Sequence, residues 1–140
     1  MNAFDLLKRH EGLRLKPYAD TQGNQTIGYG RNLTDRGISP VEAFALLESD
    51  LRTADQDLRT IFGSAYVAHL DPCRYAALVS MMFNLGIARF SGFSKMIAAL
   101  KACDWDSAAV EMLDSQWARQ VGVRAVECAA LIRTGKDTPL

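Results

Sequence analysis

The sequence predicts an α+β fold, with a small β-hairpin lobe at residues 13–33 packed on a predominantly helical part at 1–12 and 39–140, all in one domain. Three observations predict it. Residues 13–33 alternate short apolar runs with turn formers. Two later stretches, "ISPVEAFALL" and "DPCRYAALVSMMFNLG", open with full helix-start punctuation. And 140 residues at 49% hydrophobic content suffice to bury one real core.

The elements follow in order. Asn2 to His10 sets Phe4, Leu6 and Leu7 along a short helix that Gly12 stops, leaving Glu11 at its frayed end. "RLKPY" and "QTIGYG" flank "DTQGN", a strand–turn–strand signal. Gly23 and Asn24 suit the turn, and Gly28 and Gly30 on either side of Tyr29 mark sharp bends or close backbone approach. Ser39 is an N-cap, Pro40 fits the first helical position and Glu42 completes a capping box. Phe44, Leu47, Leu51, Leu58 and Ile61 then recur at helical spacing, so this helix is amphipathic and ends before Gly63. Asp71 and Pro72 open the next helix and Gly86 stops it. Its apolar residues fall on every face, which predicts a buried central helix. "SKMIAALKA", "DSAAVEML" and "VRAVECAALIRTG" complete the helical part.

Composition excludes several functions. Sixteen basic and sixteen acidic residues give zero net charge, so nothing advertises a nucleic-acid partner. Cys73, Cys103 and Cys128 are odd in number and match no metal spacing; they read as reduced thiols packed like small hydrophobes, which fits synthesis in a cytoplasm. The run "MNAFDLLKRHEG" is interrupted by Asp5 and Lys8 and is no signal peptide. No apolar run reaches the roughly 18 residues of a membrane span, so stable membrane insertion is not expected. "HEG" is not a zinc-protease motif, "DTQGN" lacks the acids of a calcium loop, and no serine sits in a nucleophile elbow. Neither a metal nor a cofactor is implied.

What remains is a pair of carboxylates. Glu11 lies at the negative end of a helix dipole, where its charged form is disfavoured; burial against the hairpin would add to that, as a general acid requires. Asp20 lies at a turn, where it should stay solvated and ionised. Each also has an ordinary reading: Glu11 as a salt-bridged surface residue, Asp20 as a turn former bonded to its own backbone. Composition alone does not choose between them.

The motif does. Glu11-Gly12, Tyr18-Ala19-Asp20 and Gly23-Asn24-Gln25-Thr26-Ile27-Gly28-Tyr29-Gly30 closely resemble the signature of phage-type lysozymes, the endolysin muramidases, and the resemblance extends through "MMFNLGIARFSGFSKM" to "VRAVECAALIRTG". It implies a lysozyme-like fold and hydrolysis of the β-1,4 bond between N-acetylmuramic acid and N-acetylglucosamine in bacterial peptidoglycan. By that resemblance Glu11 is the general acid, Asp20 the carboxylate that positions or activates water, and Thr26 the hydroxyl that holds the water. Inversion at the anomeric carbon is implied, which needs a gap of about 6.5–9.5 Å between the acids. Arg124 falls where the family has an arginine near the glutamate. Phe83 and Asn32 fall at cleft positions, with core packing an equal reading for Phe83. Met96 and Glu111 fall at further cleft positions but differ in residue type, so no role is carried to them. The family reading also implies a monomer made in the host cytoplasm and released to the wall in the periplasm through a separate holin-type pore. A catalytically silent wall-binding module is the rival. Two departures stand out: Arg31 replaces a frequent histidine, and the segment from Arg31 to the Ser39 helix is very short.

Overall fold

The computed structural model describes residues 1–137. These residues form two compact units, Met1–Leu46 and a second that begins at Leu47, with the boundary falling inside one helix.

In the first unit, α1 (Ala3–Glu11) is capped by Asn2, whose side chain accepts the Asp5 N–H at 2.8 Å. Gly12 ends it, its N–H on the Lys8 carbonyl. Strands β1 (Arg14–Ala19), β2 (Gln25–Gly28) and β3 (Arg31–Asn32) form an antiparallel sheet in that order. The sequence reading expected two strands. The third has only two residues, too few to show a period of two, and its place is set by the pairs Thr26↔Asn32 and Ile27↔Arg31. Between β1 and β2 the register shifts in the interval from Arg14 to Tyr18. That interval holds Pro17, which has no N–H to give a ladder.

Helix α2 (Pro40–Phe62) starts on the expected capping box. Ser39 Oγ accepts the Glu42 N–H at 3.2 Å, and Glu42 Oε1 accepts the Ser39 N–H at 2.9 Å. Its apolar stripe is buried only in part. Leu58 is sealed and Ile61 packs on the core, whereas Phe44, Leu47 and Leu51 are exposed. The helix is longer than the core beneath it, and burial along it begins at Ala54.

The second unit holds α3 (Ser64–His69), α4 (Pro72–Ser91), α5 (Ser94–Lys101), α6 (Trp105–Leu113), α7 (Gln116–Val121) and α8 (Val123–Thr134). Asp71 caps α4 by accepting the Arg74 N–H at 2.9 Å, with Pro72 in the first turn. Gly86, at φ 74° and ψ 164°, breaks the helical geometry inside α4, and a last turn continues to Ser91. Ala77, Leu78, Met81, Met82, Leu85 and Phe90 of α4 enter the core, each large side chain contributing about 1.5–3 kcal/mol of apolar burial. The helix is central but not buried all round: Ala76 and Phe83, two turns apart on one stripe, are exposed. Trp117 is buried with its indole N–H on Asn84 Oδ1 at 2.7 Å.

One side chain ties the start of α4 to the end of α8. Arg74, near the start of α4, donates to the carbonyls of Ile132 (2.7 Å) and Arg133 (3.2 Å) at the end of α8. It also pairs with Asp71 at 3.0 Å and lies 4.2 Å over the Trp105 ring. Of the three cysteines, Cys128 is buried, Cys73 is half-buried and Cys103 is exposed. Cys103 is therefore not the apolar filler the sequence suggests. It sits in the α5–α6 turn at φ 55°, in the left-handed region.

Candidate active site

The three candidate catalytic residues all lie in the first unit, around β2. Asp20 opens the β1–β2 turn. Its Oδ1 accepts the backbone N–H groups of Gln22 (2.9 Å) and Asn24 (2.8 Å), the side-chain turn expected of an aspartate there. The Asn24 bond above all holds the Asp20 carboxyl below the usual carboxylate range, with desolvation opposing and the Gln22 bond adding to it. Asp20 is thus an ionised group in a fixed orientation.

Thr26 follows on β2 and is only 4% exposed, the single buried polar residue among those described. Its hydroxyl donates to the Asn24 carbonyl at 3.2 Å. That same carbonyl accepts the Asp20 N–H at 2.9 Å. One peptide segment, Asn24, therefore orients both the Asp20 carboxylate and the Thr26 hydroxyl. The sequence reading passed over Asn24 as a turn former; the Asp20-to-Asn24 spacing was the signal that could have found it.

Glu11 meets the other end of the strand. It is the last residue of α1, and its carboxylate lies against the α-carbon of Gly30 in the turn between β2 and β3. A Cβ at position 30 would fall 2.6 Å from Glu11 Oε2 and 2.9 Å from its Cδ. Gly30 also holds φ +76°, so the backbone favours glycine there, and a side chain would push the Glu11 carboxylate from its place. Lys8, one turn before Glu11, reaches the Tyr29 ring at 5.8 Å from its centroid, a second tie between α1 and this turn. The burial expected for Glu11 is not found. The residue is exposed, because α1 buries none of its side chains and the sheet beneath it has three short strands.

The remaining candidates are placed as follows. Asn32 on β3 uses its side chain locally: its amide donates to Asp35 Oδ2 and its Oδ1 accepts the Asp35 N–H, each at 3.0 Å. In the second unit, Phe83 is 46% exposed and lines a cavity of about 270 Å³ with Asp50, Thr53, Asp57 and Gly86. It is not a core residue. Arg124 on α8 is half-buried and gives its guanidinium to Ser80, with bonds of 3.2 Å to Oγ and 2.9 Å to the carbonyl. Met96 and Glu111 line a larger cavity, about 560 Å³, together with Arg89, Phe93, Lys95 and Asp114.

A glutamate at the end of α1, and an aspartate and a buried threonine both held by Asn24, thus meet the two ends of one short strand. Comparison with known sequences carries this further. Residues 8–134 match the phage lysozyme family, and the chain belongs to that family. It is 32% identical to the pre-baseplate central spike protein of Enterobacteria phage T4, over 96% of this chain but only 28% of that protein's length. It is 29% identical to a probable T4-type lysozyme of Dictyostelium discoideum, covering 94% of this chain and 93% of that one. An endolysin of Acyrthosiphon pisum secondary endosymbiont phage 1 is 31% identical, over 85% of this chain and 80% of its own.

Proposed function

We propose that this protein is a muramidase. It hydrolyses the β-1,4 bond between N-acetylmuramic acid and N-acetylglucosamine in bacterial peptidoglycan, with inversion at the anomeric carbon. Glu11 protonates the leaving glycosidic oxygen. Asp20 accepts a proton from the attacking water on the opposite face of the sugar, and Thr26 orients that water. The observation that carries the reading is the shared Asn24 segment, which holds an ionised carboxylate and a hydroxyl in one frame on β2. That is the pairing a water nucleophile needs. Asn32, paired with Thr26 across the sheet, contacts the sugar chain in this reading.

The biological role that goes with it is host lysis. The protein acts as a monomeric endolysin, made in the host cytoplasm and released to the periplasmic wall through a separate holin-type pore. No single helix among the described residues is long and apolar enough to cross a bilayer, in keeping with that route. Kinship with a spike protein favours a second context, the same chemistry carried on a virion. Fractionating lysed cultures for free against particle-bound activity separates the two.

The test of the chemistry is clearing of purified cell walls by the wild type beside Glu11→Gln, with proton NMR of the first-formed anomer. Wild-type clearing with an α-anomer product, and none from equally folded Glu11→Gln, bears out the reading. Wall binding without clearing by either makes the protein a silent module, and a β-anomer excludes inversion.

A further inference from the structure

The Gly30 turn has little to hold it. It leads into β3, which has two residues and two ladder partners, and the pairing is extended only by the Leu33 N–H on the Gln25 carbonyl and the Gln25 N–H on Thr34 Oγ1. Glu11 ends a helix with no buried side chain. Apart from the Lys8–Tyr29 contact, α1 gives the turn no further tie among the described residues.

Arg31 immediately follows Gly30, and its guanidinium is held at three points. Nη1 donates to the Gly37 carbonyl at 3.1 Å and to Glu42 Oε1 at 2.9 Å, and Nη2 donates to Glu42 Oε2 at 2.5 Å. Both carboxylate oxygens of Glu42 are engaged, the two-pronged geometry in which arginine and carboxylate fix each other's orientation. Glu42 is itself anchored at the start of α2, since Oε1 also accepts the Ser39 N–H. A continuous set of bonds therefore runs from a 23-residue helix through Glu42 and Arg31 to the backbone of Gly30. It also closes the short segment from Arg31 to Ser39 into a compact loop. The ordinary role for such a pair is to fasten one end of a helix, and the capping box already does that without Arg31.

We infer that Arg31 and Glu42 are positioning residues for the general acid: their ion pair fixes the Gly30 turn on which the Glu11 carboxylate rests. The inference depends on the assignment of Glu11 as the acid. Glu42 is the member the sequence marks only as a helix cap, and its second role comes from the partner that the fold brings to it.

The experiment compares Glu42→Gln, Arg31→Lys and Ser39→Ala with the wild type. Glu42→Gln keeps an acceptor for the cap and removes the charge that Arg31 needs. Arg31→Lys keeps the charge and removes the two-pronged bond. Ser39→Ala breaks the cap's side-chain bond to Glu42 and leaves Arg31–Glu42 intact. Measured as reducing ends released from purified peptidoglycan, kcat should fall about tenfold in the first two with KM within about twofold, because a misplaced group loses transition-state contact rather than binding. Ser39→Ala should lower Tm and leave kcat alone. The second readout does not need activity: the Gly30 amide resonance should follow Glu11 ionisation in the wild type and lose that coupling in Glu42→Gln. Unchanged kcat and unchanged coupling in Glu42→Gln overturn the inference while Glu11→Gln stays inactive. An equal kcat loss in Ser39→Ala also overturns it, because the effect is then only helix fastening. Full activity in Glu11→Gln removes the catalytic assignment itself, and this inference with it.

Discussion

Replacing Gly30 by alanine separates the strain of a position from its catalytic use. The new methyl carbon would lie 2.6 Å from Glu11 Oε2, so the carboxylate must retreat roughly 0.8 Å to regain ordinary contact. That retreat is sterically cheap, because the atom in the way is the end of a flexible side chain. The stability cost is then the backbone term: alanine at φ +76° costs about 1–2 kcal/mol. The catalytic cost is larger. A displacement approaching 1 Å of a reacting group lowers kcat by about 10²-fold, near 2.7 kcal/mol of barrier. The matched control is Gly63→Ala, where φ is +88° and no atom lies within 4 Å of the added carbon. At ψ 148° it should lose at least as much stability, and no activity. The assay is kcat on purified peptidoglycan beside Tm for both variants. Gly30→Ala with kcat within twofold of wild type would refute the reasoning, since the carboxylate would then have no need of its seat.

Other outcomes follow from the same geometry. Thr26→Val should cost about 1 kcal/mol in urea unfolding through the lost bond to Asn24. It should also lower kcat, while Thr26→Ser keeps most activity. The depressed carboxyl of Asp20 puts the acid limb of the kcat/KM profile below the usual aspartate range; a limb at or above that range contradicts its role as the base. Glu42 is held at about 2, first by the Arg31 bond and then by the Ser39 bonds, against an ordinary value of 4.5. A lowered carboxylate stabilises the fold above its unfolded value and loses that contribution as pH falls through the folded one. The Tm advantage of wild type over Glu42→Gln should therefore hold above pH 4.5 and shrink toward pH 2.

Local rules were readable where they close within a few residues. Asn2, Ser39 with Glu42, and Asp71 with Pro72 all start helices as their chemistry requires, and Gly12 and Gly63 follow helix ends. Asp20 behaves as an aspartate in a turn should. What escaped the reading depends on partners set by the fold. Strand β3 is visible only through its ladder with β2, and the hydroxyl of Thr26 acquires meaning only once the Asn24 carbonyl faces it. The stripe of Phe44, Leu47 and Leu51 has helical period but no core beneath it, because period reports a face and not what covers it. Arg31 looked like an unexplained substitution until Glu42, eleven positions on, came within reach. For the site, motif resemblance singled out Glu11 and Asp20 as candidates, and only the coordinates supplied the seat of Glu11 on Gly30.

The arginine that joins the start of α4 to the end of α8 has a consequence for biosynthesis. Arg74 must wait for carbonyls that lie 58 and 59 positions further along the chain. A ribosome makes that interval in several seconds at roughly 5–20 residues per second. Until then, a charged group meant for the rim of the core has Asp71, the Trp105 ring once it is made, and water. The unit should therefore stay open until α8 emerges and then close in one late step. Chains stalled or truncated before Ile132 should be recognised as unfinished, and arrest-peptide force profiles should show the folding transition only after the last helix has left the exit tunnel.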